Sequence, residues 1–252
     1  MISSFVALDL ETTGLNPATD RILEIGAVKI IDGRETEVLS TLVDPGRQVS
    51  ERITQLTGIT NEMALGGMEY TQAVARLVDF CEDLPLLGHN VIFDYSFVKR
   101  AAVNQKLTFE KTGVDTLKIA RKLLPDLAHR TLEYLCAYYG IGEDTHHRAT
   151  EDARSAICLY ERLRQEFPEE KEDLFAPGAL IYQVKKQSPI TPAQKGYLND
   201  LVKYHKIELP IRIESLTKNE ASRIIDQIIL EHGHISRQRS GCAGRSRGRL
   251  EE

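Results

Sequence analysis

Ser4-Phe5-Val6-Ala7-Leu8-Asp9-Leu10 is a short apolar run with one acid near its end, and it reads as a buried strand. Ile22-Leu23-Glu24-Ile25-Gly26-Ala27-Val28-Lys29-Ile30-Ile31 reads as a second strand, and Asp32-Gly33 after it is a hairpin signal. A third strand is expected over residues 37–43, stopping at Asp44-Pro45-Gly46. Connections this short make the opening meander antiparallel. Apolar spacing at Ala73, Val74, Leu77, Val78 and Cys81 then predicts a helix over 70–83. A short strand at 85–88, a helix over 94–104, a strand end at 113–116, and helices over 116–124, 131–139 and 150–167 follow. Strands first, then strands alternating with helices, imply an α/β fold: a mixed β-sheet flanked by helices.

The rest of the chain sets bounds on this reading. Its 252 residues are 42% hydrophobic and 27% charged, an ordinary globular composition. Residues 167–178 are rich in acids and prolines and read as a boundary, which divides the chain into 1–177, 178–235 and 236–252. The middle part is a small helical module. Thr191-Pro192-Ala193-Gln194 and Thr217-Lys218-Asn219-Glu220 are helix starts with capping boxes. Leu198, Leu201 and Val202 face Ala221, Ile224, Ile225, Ile228 and Ile229, and the two helices are expected to pack on each other and on 179–184 or the main body. Residues 236–252 are rich in Arg, Gly and Ser without apolar period and read as a disordered basic tail.

Charge is uneven. Residues 1–177 carry 19 Lys or Arg against 29 Asp or Glu, and residues 178–252 carry 13 against 8. An acidic body does not draw nucleic acid by its bulk field, so such a ligand needs metals, a local patch or the basic back part. No apolar run reaches the roughly 18 residues of a membrane span. The N-terminus has no basic region before its apolar run, so neither a membrane partner nor a secretory signal is expected and the location reads as cytoplasmic. Cys81, Cys136, Cys158 and Cys242 form no Cys-x-x-Cys pair and read as reduced core residues.

Three short motifs carry chemistry. In Asp9-Leu10-Glu11-Thr12-Thr13-Gly14-Leu15 the two acids are two apart on a strand and project together, where they repel unless a cation lies between them. Gly88-His89-Asn90-Val91-Ile92-Phe93-Asp94 places an acid where an apolar strand gives way to a helix. His147-Arg148-Ala149-Thr150-Glu151-Asp152-Ala153 places a loop histidine five residues before a helical acid. Taken singly, each has a plain structural explanation: a strand-end cap, an acid in a first helical turn favoured by the dipole, a solvated histidine. Taken together, they supply hard oxygen ligands suited to Mg²⁺ or Mn²⁺, and a base with a pKa of about 6.5.

Asp-x-Glu-Thr-Thr-Gly, His-Asn-x-x-Phe-Asp and His-x-x-x-x-Asp-Ala together resemble the DnaQ-like exonucleases of the DEDD superfamily, histidine-containing subgroup. The resemblance covers about residues 3–166, with supporting matches at Leu56-Thr57-Gly58-Ile59, Val114-Asp115-Thr116 and Leu132-x-x-Leu135. It implies an RNase H-like fold. It implies that Asp9, Glu11, Asp94 and Asp152 bind two divalent metal ions, and that His147 is the general base, its spacing to Asp152 favouring it over the adjacent His146. Thr12, Leu15, Leu56, Asn90 and Phe93 are the implied substrate contacts: apolar wedges at Leu15 and Leu56, an aromatic near the last nucleotides at Phe93, a backbone contact at Asn90. Phe93 reads equally as core, and Gly14 as a point where backbone approaches the terminal sugar. The implied activity is removal of 5′-nucleoside monophosphates from DNA 3′ ends in proofreading or repair. Single-stranded DNA ends and a DNA polymerase or other replication or repair protein are the partners expected. RNA 3′-end trimming uses the same residues and stays open, as does, more remotely, a non-catalytic binding module.

Overall fold

The computed structural model describes residues 2–142, 148–168 and 172–235. The opening meander is β1 (Phe5–Thr12), β2 (Ile22–Ile31) and β3 (Arg34–Asp44), paired antiparallel in turn. Asp32 and Gly33 both take positive φ, 49° and 75°, and close the two-residue turn between β2 and β3. β4 (Met68–Glu69) pairs parallel with β3. On the other side of β1, β5 (Leu86–Gly88) and β6 (Thr112–Asp115) add in parallel, and β7 (Gly178–Ala179) pairs antiparallel with β6. The sheet order is β4-β3-β2-β1-β5-β6-β7, a mixed sheet with β1 at its centre.

Strand alternation splits the core into two layers. Val6, Leu8 and Leu10 point to the side covered by α3 (Tyr70–Cys81) and α4 (Ile92–Asn104). Phe5 and Ala7 point to the side covered by α5 (Thr116–Leu123), α6 (Leu132–Tyr139) and α7 (Ala149–Glu166). Two further helices, α1 (Glu51–Thr57) and α2 (Asn61–Leu65), pack with Leu23, Val49 and Ile59 in a smaller cluster. They escape a periodicity reading because each is two turns or fewer, held by a capping hydroxyl: Ser50 accepts from Ile53 N–H, Thr60 from Met63 N–H.

The chain divides into two compact units at Ser188/Pro189, later than the expected Pro177/Gly178 junction. The reason is β7: Gly178 and Ala179 complete the sheet edge, and Leu180 and Tyr182 pack into the core of the first unit. The 179–184 segment therefore belongs to the first unit, with Leu180 and Tyr182 inward and Ile181 exposed. In the second unit, the helices Pro192–His205 and Lys218–His232 begin with the expected capping boxes at Thr191 and Thr217. Leu198, Leu201, Ala221, Ile225 and Ile228 form their shared core, extended by Ile207, Leu209, Ile211, Ile213 and Leu216 from the connection between them. That connection supplies the apolar surface that two short helices lack. Residues 189–235 hold six Lys or Arg and six Asp or Glu, so the basic surplus of residues 178–252 lies in Lys185, Lys186 and residues 236–252.

Cys81 and Cys136 are buried as expected, whereas Cys158 lies exposed on α7; Cys242 and the tail 236–252 lie outside the described residues. Among the described residues, no helix is long and apolar enough to cross a membrane.

Candidate active site

The β1 alternation that turns Phe5 and Ala7 towards α7 turns Asp9 and Glu11 the same way. α7 reaches them from β2. In register, Asp9 faces Gly26 and Glu11 faces Glu24. A side chain at Gly26 has no room: a Cβ there would lie 2.1 Å from the carbonyl carbon of Ala149 and 2.2 Å from Thr150 N. The first turn of α7 thus rests directly on β2 backbone, and Asp152 in that turn comes to the two strand acids. One carboxylate oxygen from each of Asp9, Glu11 and Asp152 lies within 4.8 Å of the others. Asp94 arrives from the first turn of α4, where it is buried at 3% exposure, and its Oδ1 accepts from Leu10 N–H at 3.1 Å. All four acids line one cleft of about 250 Å³, shared with Phe93, His89, Leu132 and Glu133.

The acids crowd one another. Burial pushes the Asp9 carboxyl well above its ordinary value, and the charges of Asp94, Asp152, Glu11 and Glu24 push it further. Burial, then Asp152 and Glu24, raises Glu11 to about 7. Burial raises Asp94 too, against the pull of N–H groups of Asp94 itself and Leu10. A set of hard carboxylate oxygens this close, in surroundings that penalise their charge, fits a divalent cation bound by oxygen, such as Mg²⁺ or Mn²⁺.

Other elements hold the cleft in shape. His89 Nε2 lies 2.8 Å from the Arg130 carbonyl and Nδ1 lies 2.9 Å from Thr116 Oγ1. A carbonyl only accepts, so Nε2 carries the proton. Burial holds the ring below its ordinary value, against the bond to the Arg130 carbonyl, and the Thr116 hydroxyl beside Nδ1 also donates to the Gly88 carbonyl at 3.2 Å. Asp115 Oδ1 accepts from Asn90, Leu117 and Lys118 N–H, capping α5 while pinning the Asn90 turn, where φ is 68°. These bonds tie the ends of β5 and β6 to the start of α6 and give Val114-Asp115-Thr116 a structural purpose.

The expected substrate residues divide. Phe93 is half-buried, lines the cleft and packs on Phe97 at a ring separation of 5.0 Å, so it serves cleft and core together. Thr12, Leu15, Leu56 and Asn90 are not among the residues lining that cleft. Thr12 is buried and its hydroxyl donates to Gly14 O at 2.7 Å. Leu15 and Leu56 are apolar side chains in the open, 85% and 62% exposed. Gly14 has a local explanation: a Cβ there would lie 2.5 Å from an Asp20 carboxylate oxygen. His147 and His146 lie outside the described residues.

Sequence reasoning missed Glu24, which is 1% exposed near the start of β2. Arg148 Nε and Nη2 both donate to its Oε1, at 2.9 and 2.7 Å, and Ala149 N–H donates to its Oε2 at 3.4 Å. The available signal was a lone acid inside an otherwise apolar run.

The exonuclease family model RNase_T matches residues 6–160. The chain is 35% identical over 170 residues to the PolC-type DNA polymerase III of Clostridium perfringens, covering 68% of this chain and 12% of that protein. It is 39% identical over 162 residues to the PolC-type enzyme of Thermotoga petrophila, covering 64% of this chain and again 12% of that protein. The chain thus spans only about an eighth of those relatives' length. Its fold resembles that of Exonuclease X in complex with 5′ overhanging duplex DNA, with a TM-score of 0.54 and 24% identity over 68% of this chain and 99% of that one. It also resembles E. coli Exonuclease I in complex with a 5cy-dT13 oligonucleotide, with a TM-score of 0.57 and 22% identity over 69% and 42% of the two chains. The mixed sheet with helices on both faces is the RNase H-like architecture that the motifs implied. With the match running from β1 to α7 and including Asp9, Glu11, Asp94 and Asp152, this chain belongs to the exonuclease family, of the DnaQ-like DEDD kind.

Proposed function

We propose that this chain hydrolyses DNA from its 3′ end, releasing 5′-nucleoside monophosphates, with Asp9, Glu11, Asp94 and Asp152 holding two divalent cations and His147 acting as general base. The observation that carries the reading is the meeting of Asp9, Glu11 and Asp152 within 4.8 Å, beside a fourth acid fixed to the backbone between the first two. When bound, Mg²⁺ or Mn²⁺ supplies positive charge where negative charge builds on the phosphodiester. The chain's own groups do the rest. The four carboxylates fix where that charge sits. Phe93 offers a ring face beside the cleft, on which a terminal base can stack whatever its sequence. Leu15 and Leu56 supply apolar edges against the last bases. His147 takes the proton of the attacking water.

The choice of DNA rests on relatives that are named as DNA polymerases and on structural neighbours solved with DNA. A DNA polymerase or another replication protein is the partner that fits this context. The test is digestion of 5′-labelled single-stranded DNA, mismatched primer–template and RNA, first with a chelator and then with Mg²⁺ or Mn²⁺. Stepwise shortening of DNA only when metal is present is expected, together with its loss in Asp9→Ala. Early release of the label, internal cuts in a circular strand, or faster digestion of RNA overturns the corresponding part of the reading.

A further inference from the structure

We propose that Glu24 and Arg148 form a positioning device that sets where Asp152 stands relative to Asp9 and Glu11, and thereby the affinity of the cluster for divalent cations. This inference rests on the metal-dependent reading above and names residues that act through Asp152.

A carboxylate buried inside a strand is costly unless it is paired and hydrogen-bonded. Glu24 is both. Its Oε1 takes two N–H groups of the Arg148 guanidinium, and its Oε2 takes the N–H of Ala149. Arg148 precedes α7 and makes no side-chain cap of its own, so Glu24 supplies the missing acceptor from the neighbouring strand, at the helix end where a negative charge is favoured. The link to the site is one helical turn long: Asp152 N–H donates to the Arg148 carbonyl at 3.1 Å. The residue that Glu24 grips is therefore the residue on which the Asp152 turn is built. Gly26, two positions along the same strand, leaves α7 no side chain to ride over.

A purely structural anchor would not need a negative charge here. Glu24 faces Glu11 across the β1–β2 pair, where its charge works against the crowded acids. A neutral Gln would spare them that repulsion but would weaken the hold on Arg148, since a charged, two-bonded guanidinium contact is both the stronger and the more directional one. The position therefore trades comfort of the cluster for control of α7. Residues that orient metal-binding groups typically change metal affinity by roughly 10–100-fold when altered.

The experiment uses the full chain, with Mn²⁺ alone as the probe. Mn²⁺ binding is titrated by calorimetry in wild type, Glu24→Gln, Arg148→Lys, Arg148→Ala and Asp9→Ala, and melting temperatures are recorded without metal. The Mn²⁺ concentration for half-maximal hydrolysis is measured in parallel. The expected result is a fall in Mn²⁺ affinity of about 10-fold or more in Glu24→Gln and Arg148→Ala, a smaller fall in Arg148→Lys, and recovery of hydrolysis at high Mn²⁺. Arg148 is 55% exposed on its side chain, so its variants keep the test alive if Glu24→Gln does not fold. Folded variants with wild-type Mn²⁺ affinity and wild-type metal dependence overturn the inference while leaving the nuclease reading intact. A wild type that neither binds Mn²⁺ more tightly than Asp9→Ala nor cleaves overturns the nuclease reading itself.

Discussion

Leu10 N–H donates to Asp94 Oδ1 at 3.1 Å, joining a backbone amide that sits between two strand acids to a helical acid 84 positions away. The bond uses the shape of the Asp94 side chain, whereas the proposed metal binding would use its charge. Asp94→Asn keeps an oxygen for Leu10 and loses the charge. Hydrolysis should fall by about 100-fold or more, while the metal-free protein melts no lower than wild type because one repelling acid is gone. Asp94→Ala also strands the Leu10 N–H, and should be less stable than Asp94→Asn by about 1–3 kcal/mol. Melting curves and initial rates on a 5′-labelled strand check both. Wild-type turnover in Asp94→Asn removes Asp94 from the metal set.

Gly26→Ala puts a methyl group into space already filled by the Ala149–Thr150 backbone. Backbone at a helix start cannot swing aside as a side-chain tip does, so α7 must shift off β2. A loss of about 1–3 kcal/mol or more is expected from the overpacking, together with reduced activity at temperatures where the variant is still folded. Full activity in a folded Gly26→Ala protein would show that the seating of α7 does not matter to Asp152.

Leu15 and Leu56 separate binding from stability. Both side chains are largely exposed, so Leu15→Ala with Leu56→Ala should change stability by no more than about 0.5 kcal/mol. The expected effect is a several-fold rise in KM for oligonucleotides with little change in kcat. Phe93→Ala should differ, losing stability as well, because its ring also packs on Phe97. Steady-state kinetics on strands of one length distinguishes the two outcomes, and an unchanged KM in the Leu15/Leu56 double variant removes them as substrate contacts.

What could be read beforehand follows from how local each signal is. β1 and β2 were legible because their apolar runs are long and end in turn residues. The two capping boxes were legible because Thr, Pro and Gln or Glu sit at fixed offsets. Asp9, Glu11, Asp94 and Asp152 were legible as motifs, and the fold brings them into one cleft. Glu24 was not, because its partner Arg148 lies 124 positions along the chain, and a lone acid in the apolar run Ile22-Leu23-Glu24-Ile25 does not say what it pairs with. β7 was missed for the same reason: two residues, Gly178 and Ala179, have no pattern, and only the exposed edge of β6 gives them a place. Leu132 and Glu133 entered the cleft through the His89–Arg130 bond, which is again a contact across the chain.

His89 gives a pH signature away from the acids. Burial lowers its pKa below the ordinary 6.5, against the hydrogen bond to the Arg130 carbonyl and the charge of Asp115, with Arg121 adding to the lowering. The folded ring therefore binds fewer protons than the unfolded one in the window just below 6.5. Its contribution to stability is complete above that value and is lost as pH falls through the window. The stability advantage of wild type over His89→Gln should be largest at about pH 7.5 and shrink towards about pH 5. Paired melting curves in one buffer series measure it, and an advantage that does not change with pH shows that the ring is not held neutral.

The second unit can be tested through its charge. Residues 189–235 carry balanced charge, so the surplus of the back part comes from Lys185 and Lys186 and from residues 236–252, which hold five Arg and two Glu. A helical unit with no net charge gains little from a polyanion at long range, whereas arginines that reach phosphates release counterions. Each such contact steepens the salt dependence of single-strand affinity by about 0.7. Chains ending at Ser188 and at Ile235 should therefore lose the same slope on long strands, and neither should lose turnover on a dinucleotide, since Asp9, Glu11, Asp94, His147 and Asp152 all precede both ends. If the chain ending at Ser188 loses more slope than the one ending at Ile235, the two helices hold the strand themselves despite their balanced charge. If neither chain changes, the Arg residues do not touch the strand, and the packed helical pair is better explained by contact with another protein than with nucleic acid.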